Sequence, residues 1–160
     1  MATLTKITPC LWFDTEGEEA ATFYAGIFEN SRITNVTHYG SAGPRPAGMV
    51  LTVEFELDGQ PFTALNGGPE FSFNEALSLQ VNCESQEEVD DFWARLGDGG
   101  EYGPCGWLKD KYGVSWQIVP TRLIELITDP NPERSQRAVK AMLGMGKIDI
   151  AEVERAADTA

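Results

Sequence analysis

Glu18-Glu19-Ala20-Ala21-Thr22-Phe23-Tyr24 and Glu87-Glu88-Val89-Asp90-Asp91-Phe92-Trp93 superpose at a single offset of 69 residues. Acid pair falls on acid pair, apolar residue on apolar residue and aromatic pair on aromatic pair; one turn later Ile27 falls on Leu96. Ala20, Phe23, Tyr24, Ile27 and Phe28 recur at spacings of three and four, as do Val89, Phe92, Trp93 and Leu96. Each stretch therefore reads as an amphipathic helix with one face made for a sheet. Thr15-Glu16-Gly17-Glu18 and Ser85-Gln86-Glu87-Glu88 both set a hydroxyl three residues ahead of a glutamate, the capping-box signature of a helix start. Helix chemistry alone does not require the same aromatic pair twice, so the match is read as an internal duplication.

The flanking sequence repeats the same grammar. Residues 7–13 form an extended apolar run containing Pro9, Asn30-Ser31 ends the first helix, and residues 33–39 read as a strand. Residues 40–48, with Pro44 and Pro46 among small residues, read as a loop and as the segment most expected to move. Residues 49–57 alternate, with Leu51, Val53, Phe55 and Leu57 on one face and Thr52, Glu54 and Glu56 on the other. Asp58-Gly59 is a hairpin turn, so residues 60–65 return antiparallel and stop at Asn66-Gly67-Gly68-Pro69. In the second half, residues 76–83 are strand-like, the second helix follows, and strands run from Gly100 to Leu108. Asp110-Lys111-Tyr112-Gly113 then turns the chain into a final strand, 114–119. The fold class is α+β, in two βαβββ modules at 1–69 and 70–120. Residues 121–160 form a helical extension: helices at 121–128, at 132–143 with Pro132 in the first turn, and at 149–157 opened by Asp149-Ile150-Ala151-Glu152. Ala138, Val139, Met142 and Leu143 give this extension an apolar face for a partner or for its own sheet.

The chain has 160 residues, 42% of them apolar and 23% charged, long enough to bury a core without staples. Its 25 acidic against 12 basic residues give a net charge of −13, which repels phosphate backbones and anionic bilayers, so neither nucleic acid nor membrane is an expected partner. No run approaches the roughly 20 apolar residues of a membrane span. Residues 1–6 carry no apolar signal segment, and a cytoplasmic location is expected. The three cysteines, Cys10, Cys83 and Cys105, show no paired spacing. His38 is the sole imidazole, which excludes a His-rich metal site within one chain.

The two modules, the Phe23-Tyr24 pair and the hairpin DKYGVSWQI (110–118) resemble the vicinal oxygen chelate, or glyoxalase-like, superfamily. ITPCLWF (7–13), ALNGGP (64–69), CGWLKDKYG (105–113), SWQIVP (115–120) and the helical tail are similar to its PhnB-like branch, the proteins labelled 3-demethylubiquinone-9 3-methyltransferase-like. The resemblance implies curved mixed sheets enclosing a cavity, pairing into a homodimer and, in metal-dependent members, four ligands on inward strand positions. Those positions fall at Pro9, at Thr63 or Leu65, at Ala76 or Ser78, and at Gln117. None is His, Asp or Glu, so no metal ligand and no cofactor are expected. Methyl transfer from S-adenosylmethionine usually needs a glycine-rich loop between strand and helix, and Asn66-Gly67-Gly68-Pro69 leads to no helix.

Alternation puts Pro9, Leu11 and Phe13 on one face, and the offset of 69 brings Ser78, Gln80 and Asn82 to the matching face, joined by Ser115 and Gln117. Trp12, Val81 and Trp116 then point to the helices. A surface of apolar walls and a few neutral polar groups suits a small, partly aromatic, uncharged ligand. Leu11, Phe13, Asn66, Gln80, Trp107 and Gln117 are the candidate ligand contacts, although Gln80 can equally pair within its sheet and Asn66 mark a turn. Cys105 and Glu75 are the candidate reactive groups. Cys105 is a nucleophile or a small buried hydrophobe, and Glu75 is a general base if partly buried or a solvated carboxylate if not. Two functions follow: a metal-free small-molecule binding protein, or an enzyme of lyase, dioxygenase-like or methyltransferase-labelled type acting on a small aromatic or quinone-like substrate.

Overall fold

The computed structural model describes residues 5–159. The chain divides after Phe73 into two compact units. In the first, β1 (Cys10–Phe13), α1 (Gly17–Ala25), β2 (Arg32–His38), β3 (Val50–Leu57) and β4 (Gln60–Asn66) build a four-stranded sheet of order β1-β4-β3-β2. β1 pairs parallel with β4, and the other neighbours are antiparallel. In the second, β5 (Ser78–Cys83), α2 (Gln86–Gly97), β6 (Glu101–Tyr102), β7 (Trp107–Lys109) and β8 (Ser115–Pro120) repeat this plan as β5-β8-β7-β6. α3 (Thr121–Ile127), α4 (Pro132–Leu143) and α5 (Ile150–Asp158) complete the second unit. The architecture is the α+β duplication with a helical extension that the sequence predicts. No helix among the described residues is long and apolar enough to cross a membrane.

The turns follow the predicted chemistry. Asp58 and Gly59 both have positive φ, 48° and 77°, as a two-residue hairpin between β3 and β4 requires. Ser85 caps α2 by accepting from the Glu88 backbone nitrogen at 3.2 Å, and the Glu88 carboxylate reaches back to the Glu84 nitrogen. Asn131 and Asp149 cap α4 and α5 in the same way. α1 departs from expectation, because Thr15 does not cap it. The position before the helix is Glu16, with no side-chain cap, and the Gly17 N–H instead donates 2.8 Å across to Asn66 Oδ1 on β4.

The faces of β1 also differ from expectation. Tyr24 of α1 stacks on Phe55 of β3, which marks the helix side of the first sheet. Val53, Ala64 and Leu11 are register partners on that side, and Leu11 and Phe13 are buried in the core beneath α1. Trp12 points the other way. Its indole donates to the Gly68 carbonyl at 2.8 Å and meets Phe71 edge-on, while Gly67 lies flat against it. The equivalent positions of the second unit are the half-buried Val81 and the buried Cys83, so the strands repeat at an offset of 70 and the helices at 69. Three residues, 14–16, link β1 to α1, whereas two, 84 and 85, link β5 to α2. A one-residue slip moves every side chain of a strand to the opposite face.

The loop 40–48 is tied down by Arg45, which bonds both the carbonyl and the carboxylate of Asp14. The tail packs on its own unit: Ala138 and Ile148 join Val119, Leu123, Leu126, Val153 and Ala157 in one buried cluster, with Met142 against it and Leu143 exposed.

Candidate functional site

A cleft of about 400 Å³ opens at the β6–β7 end of the second sheet, within the range of small-molecule sites. Its walls are Tyr102, Gly103, Pro104, Trp107, Leu108 and Lys109, with Glu75, Glu101 and Ser115 completing it. The register builds the polar part. Lys109 pairs with Ser115 and Ser115 with Ser78, while Trp107 pairs with Gln117 and Gln117 with Gln80, so these side chains share the face away from α2.

Two glycines shape the rim. The Tyr102 ring stacks on Trp93 of α2 at 4.7 Å and lies over Gly97, where a Cβ would sit 2.2 Å from the ring. Gly100 crosses the Lys109 carbonyl so closely that a Cβ there would lie 2.0 Å from it. Behind the sheet, Asp110 fixes the β7–β8 turn: Oδ1 accepts from the nitrogens of Tyr112 and Val114 at 2.8 and 3.1 Å, and Oδ2 from Trp116 Nε1 at 2.8 Å.

The electrostatics are local. Lys109 Nζ is ion-paired with Glu75 at the exposed mouth. That contact holds the Glu75 carboxyl below its usual value and raises the Lys109 ammonium above its own. Ser115 differs from both, being 1% exposed with an Oγ that has no hydrogen-bond partner among the described residues.

Of the residues singled out from sequence, Trp107 and Glu75 line this cleft. Leu11, Phe13 and Asn66 belong to the first unit's interior and are corrected accordingly. Phe13 meets Phe73 edge-on. Asn66, besides capping α1, donates from Nδ2 to the Val50 carbonyl and accepts the Tyr39 hydroxyl on its own carbonyl. Gln80 is exposed and bonds Asn82, and Gln117 donates to Ser78 Oγ. Cys105 sits in the turn before β7, half-buried, and does not line the cleft. Glu75 is exposed rather than partly buried, and its lowered pKa is opposite to what a general base needs. Lys109, Tyr102 and Glu101 were missed. The Asp110–Gly113 turn signals Lys109, since pairing across it puts residue 109 beside 115.

Residues 5–119 match the family model described as 3-demethylubiquinone-9 3-methyltransferase. A PhnB protein of Bacillus cereus, provisionally assigned that activity, is 37% identical with a TM-score of 0.65, over 72% of this chain and 99% of its own. The chain belongs to this 3-demethylubiquinone-9 3-methyltransferase family. Protein PA1353 of Pseudomonas aeruginosa shares the fold at 19% identity and a TM-score of 0.60, over 73% of this chain and 98% of that one. A glyoxylase/bleomycin resistance protein/dioxygenase domain from Frankia is 14% identical with a TM-score of 0.45, covering 74% and 93%. No curated protein matches. The family model ends at residue 119, so the helical extension, read from sequence as part of the resemblance, lies outside it.

The resemblance of the sequence to metal-dependent glyoxalase-like proteins raises the question of a metal. Among the described residues no group of three or more His, Cys, Asp or Glu side chains is placed to hold one. The Gln117 amide is already engaged with Ser78, and His38 ends the exposed edge strand β2. Among the described residues no donor set suited to a divalent centre is assembled.

Proposed function

We propose that this PhnB-like protein binds a small, partly aromatic, uncharged molecule in the cleft of its second unit, without the superfamily's metal. The observation that carries this reading is the Ser115 hydroxyl, buried and unpartnered on a residue lining a cleft whose walls include Trp107. An unsatisfied buried hydroxyl costs about 1–3 kcal/mol. A ligand carrying one hydrogen-bonding group recovers that cost, and its ring gains the Trp107 wall. Charge favours a neutral ligand: Lys109 is neutralised by Glu75, and Glu101 opposes an anion. Neither candidate reactive group gains a catalytic setting, which places binding ahead of the enzyme reading.

The test is a nitrogen–proton NMR titration with 1-naphthol, a neutral bicyclic alcohol. Shifts concentrated at the Trp107 indole and the Ser115 amide are expected. Ser115→Ala should weaken binding roughly 2- to 10-fold, the worth of one hydrogen bond, and Trp107→Ala by more. Shifts scattered over the surface, or equal affinity in Ser115→Ala, would remove the reading.

A further inference from the structure

The extension that the family model does not cover bonds the turn beside the cleft. Met145 O accepts from Cys105 N and Gly146 O accepts from Gly106 N, both at 2.8 Å. Cys105 and Gly106 follow Gly103 and Pro104 and precede Trp107, three cleft-lining residues. Their turn is closed by Trp107 N donating to the Pro104 carbonyl and held to β8 by Ile118 N donating to the Gly106 carbonyl, but both residues have positive φ, 58° and 84°, which costs the non-glycine Cys105 about 1–2 kcal/mol. Gly106 in addition packs so tightly that a Cβ would lie 2.8 Å from the Ile118 carbonyl and 3.2 Å from Ile148.

The same tail segment is gripped from its far side by α2. Gln86 Nε2 donates to Ile148 O at 3.0 Å, and Gln86 Oε1 accepts from Ile150 N at 2.8 Å, a two-point hold on backbone more than sixty residues away. Lys147 pairs with Asp90 one helical turn on, and the Ile148 side chain is fully buried. Residues 145–150 are thus fixed between the first turns of α2 and the turn before β7.

We propose that this segment is a clamp that positions the Gly103–Trp107 wall, making the C-terminal extension a determinant of ligand affinity that the core fold alone does not supply. Gln86, which lies outside the cleft, is the positioning residue that sets the clamp. The inference rests on the proposed ligand site for its effect on affinity, but not for the clamp itself.

The experiment uses Gln86→Leu, which removes both bonds to the tail together with the one Gln86 Nε2 donates to Asp90 Oδ1, and reads two quantities. Amide hydrogen exchange at Cys105 and Gly106 should rise about 10-fold against an unchanged Val81 reference, the effect of losing one to two hydrogen bonds. The dissociation constant for 1-naphthol should rise about 5-fold. If Gln86→Leu does not fold, Gln86→Glu keeps the acceptor for Ile150 and a charge suited to the start of α2 while deleting the donor, and the same readouts apply. Unchanged exchange at 105 and 106 overturns the clamp; faster exchange with unchanged affinity overturns its role in binding. If the wild-type protein does not bind 1-naphthol, the ligand reading fails, and the clamp stands or falls on exchange alone.

Discussion

Asn66 Oδ1 stands 2.8 Å from the backbone nitrogen of Gly17 and closes, from the sheet, the helix end that no neighbouring side chain closes. The fit is close enough that a Cβ on Gly17 would lie 2.7 Å from that oxygen. Asn66→Ala leaves the Gly17 N–H and the Val50 carbonyl without their partner, and is expected to destabilise the protein by about 3 kcal/mol. Gly17→Ala is expected to cost about 1–3 kcal/mol through overpacking. Urea unfolding measures both, and a change below 0.5 kcal/mol in Asn66→Ala would show that the bond is incidental.

The Asp110 carboxylate accepts three N–H bonds and donates none. Asp110→Asn keeps the shape but turns an NH2 toward a donor, either the Trp116 indole or the turn amides. It should therefore be nearly as damaging as Asp110→Ala, about 2–4 kcal/mol. Stability of Asp110→Asn within 0.5 kcal/mol of the wild type would contradict this.

Whole modules, the Asp58-Gly59 turn and the helix caps Ser85 and Asp149 are legible in the sequence because each is encoded within a few residues. The faces of β1 are not. Helices aligned on Phe23-Tyr24 and Phe92-Trp93 carry the strand parity with them only if the linkers match, and Asp14-Thr15-Glu16 is one residue longer than Glu84-Ser85. That residue moved Leu11 and Phe13 from an imagined ligand face into the core and sent Trp12 the other way. The cleft eluded sequence reasoning for a different reason. Tyr102, Lys109 and Ser115 meet through strand register, and the clamp joins Gln86 to Ile148, so neither leaves a local pattern.

The thiols should separate by environment. Burial pushes Cys83 up to about 12, with the nearby Glu88 charge adding to the effect, while partial desolvation raises the exposed Cys10. Native protein treated with iodoacetamide at pH 8 should leave Cys83 unmodified while exposed Cys10 and half-buried Cys105 react. Peptide mass mapping reads this directly, and labelling of Cys83 at the rate of Cys10 would count against the buried assignment.

Glu75 titrates below its ordinary value because Lys109 favours the ionised form. A carboxyl with a lower pKa in the folded state stabilises the fold above its unfolded value, and that contribution fades as pH falls through the folded one. For so exposed a pair the effect on stability is small. The expected observable is the carboxyl carbon shift of Glu75, with its midpoint below 4.5 in the wild type and returned toward 4.5 in Lys109→Met. Identical midpoints would dissolve the ion pair.

Dialysis against EDTA should leave 1-naphthol affinity unchanged, since no step of the proposed binding uses a metal. A fall of tenfold or more, restored by one divalent metal, would overturn the metal-free part of the proposal.

The grip of Gln86 on Ile148 also orders events during synthesis. Every strand partner of the first sheet has emerged by Asn66, so that unit can close early on a growing chain, in keeping with domains folding as units. The second sheet finds its last strand by Pro120, yet the turn at Cys105 gains its two bonds to the tail only when Met145 and Gly146 arrive. A ribosome stalled between those points would carry two formed sheets and an unfinished ligand wall.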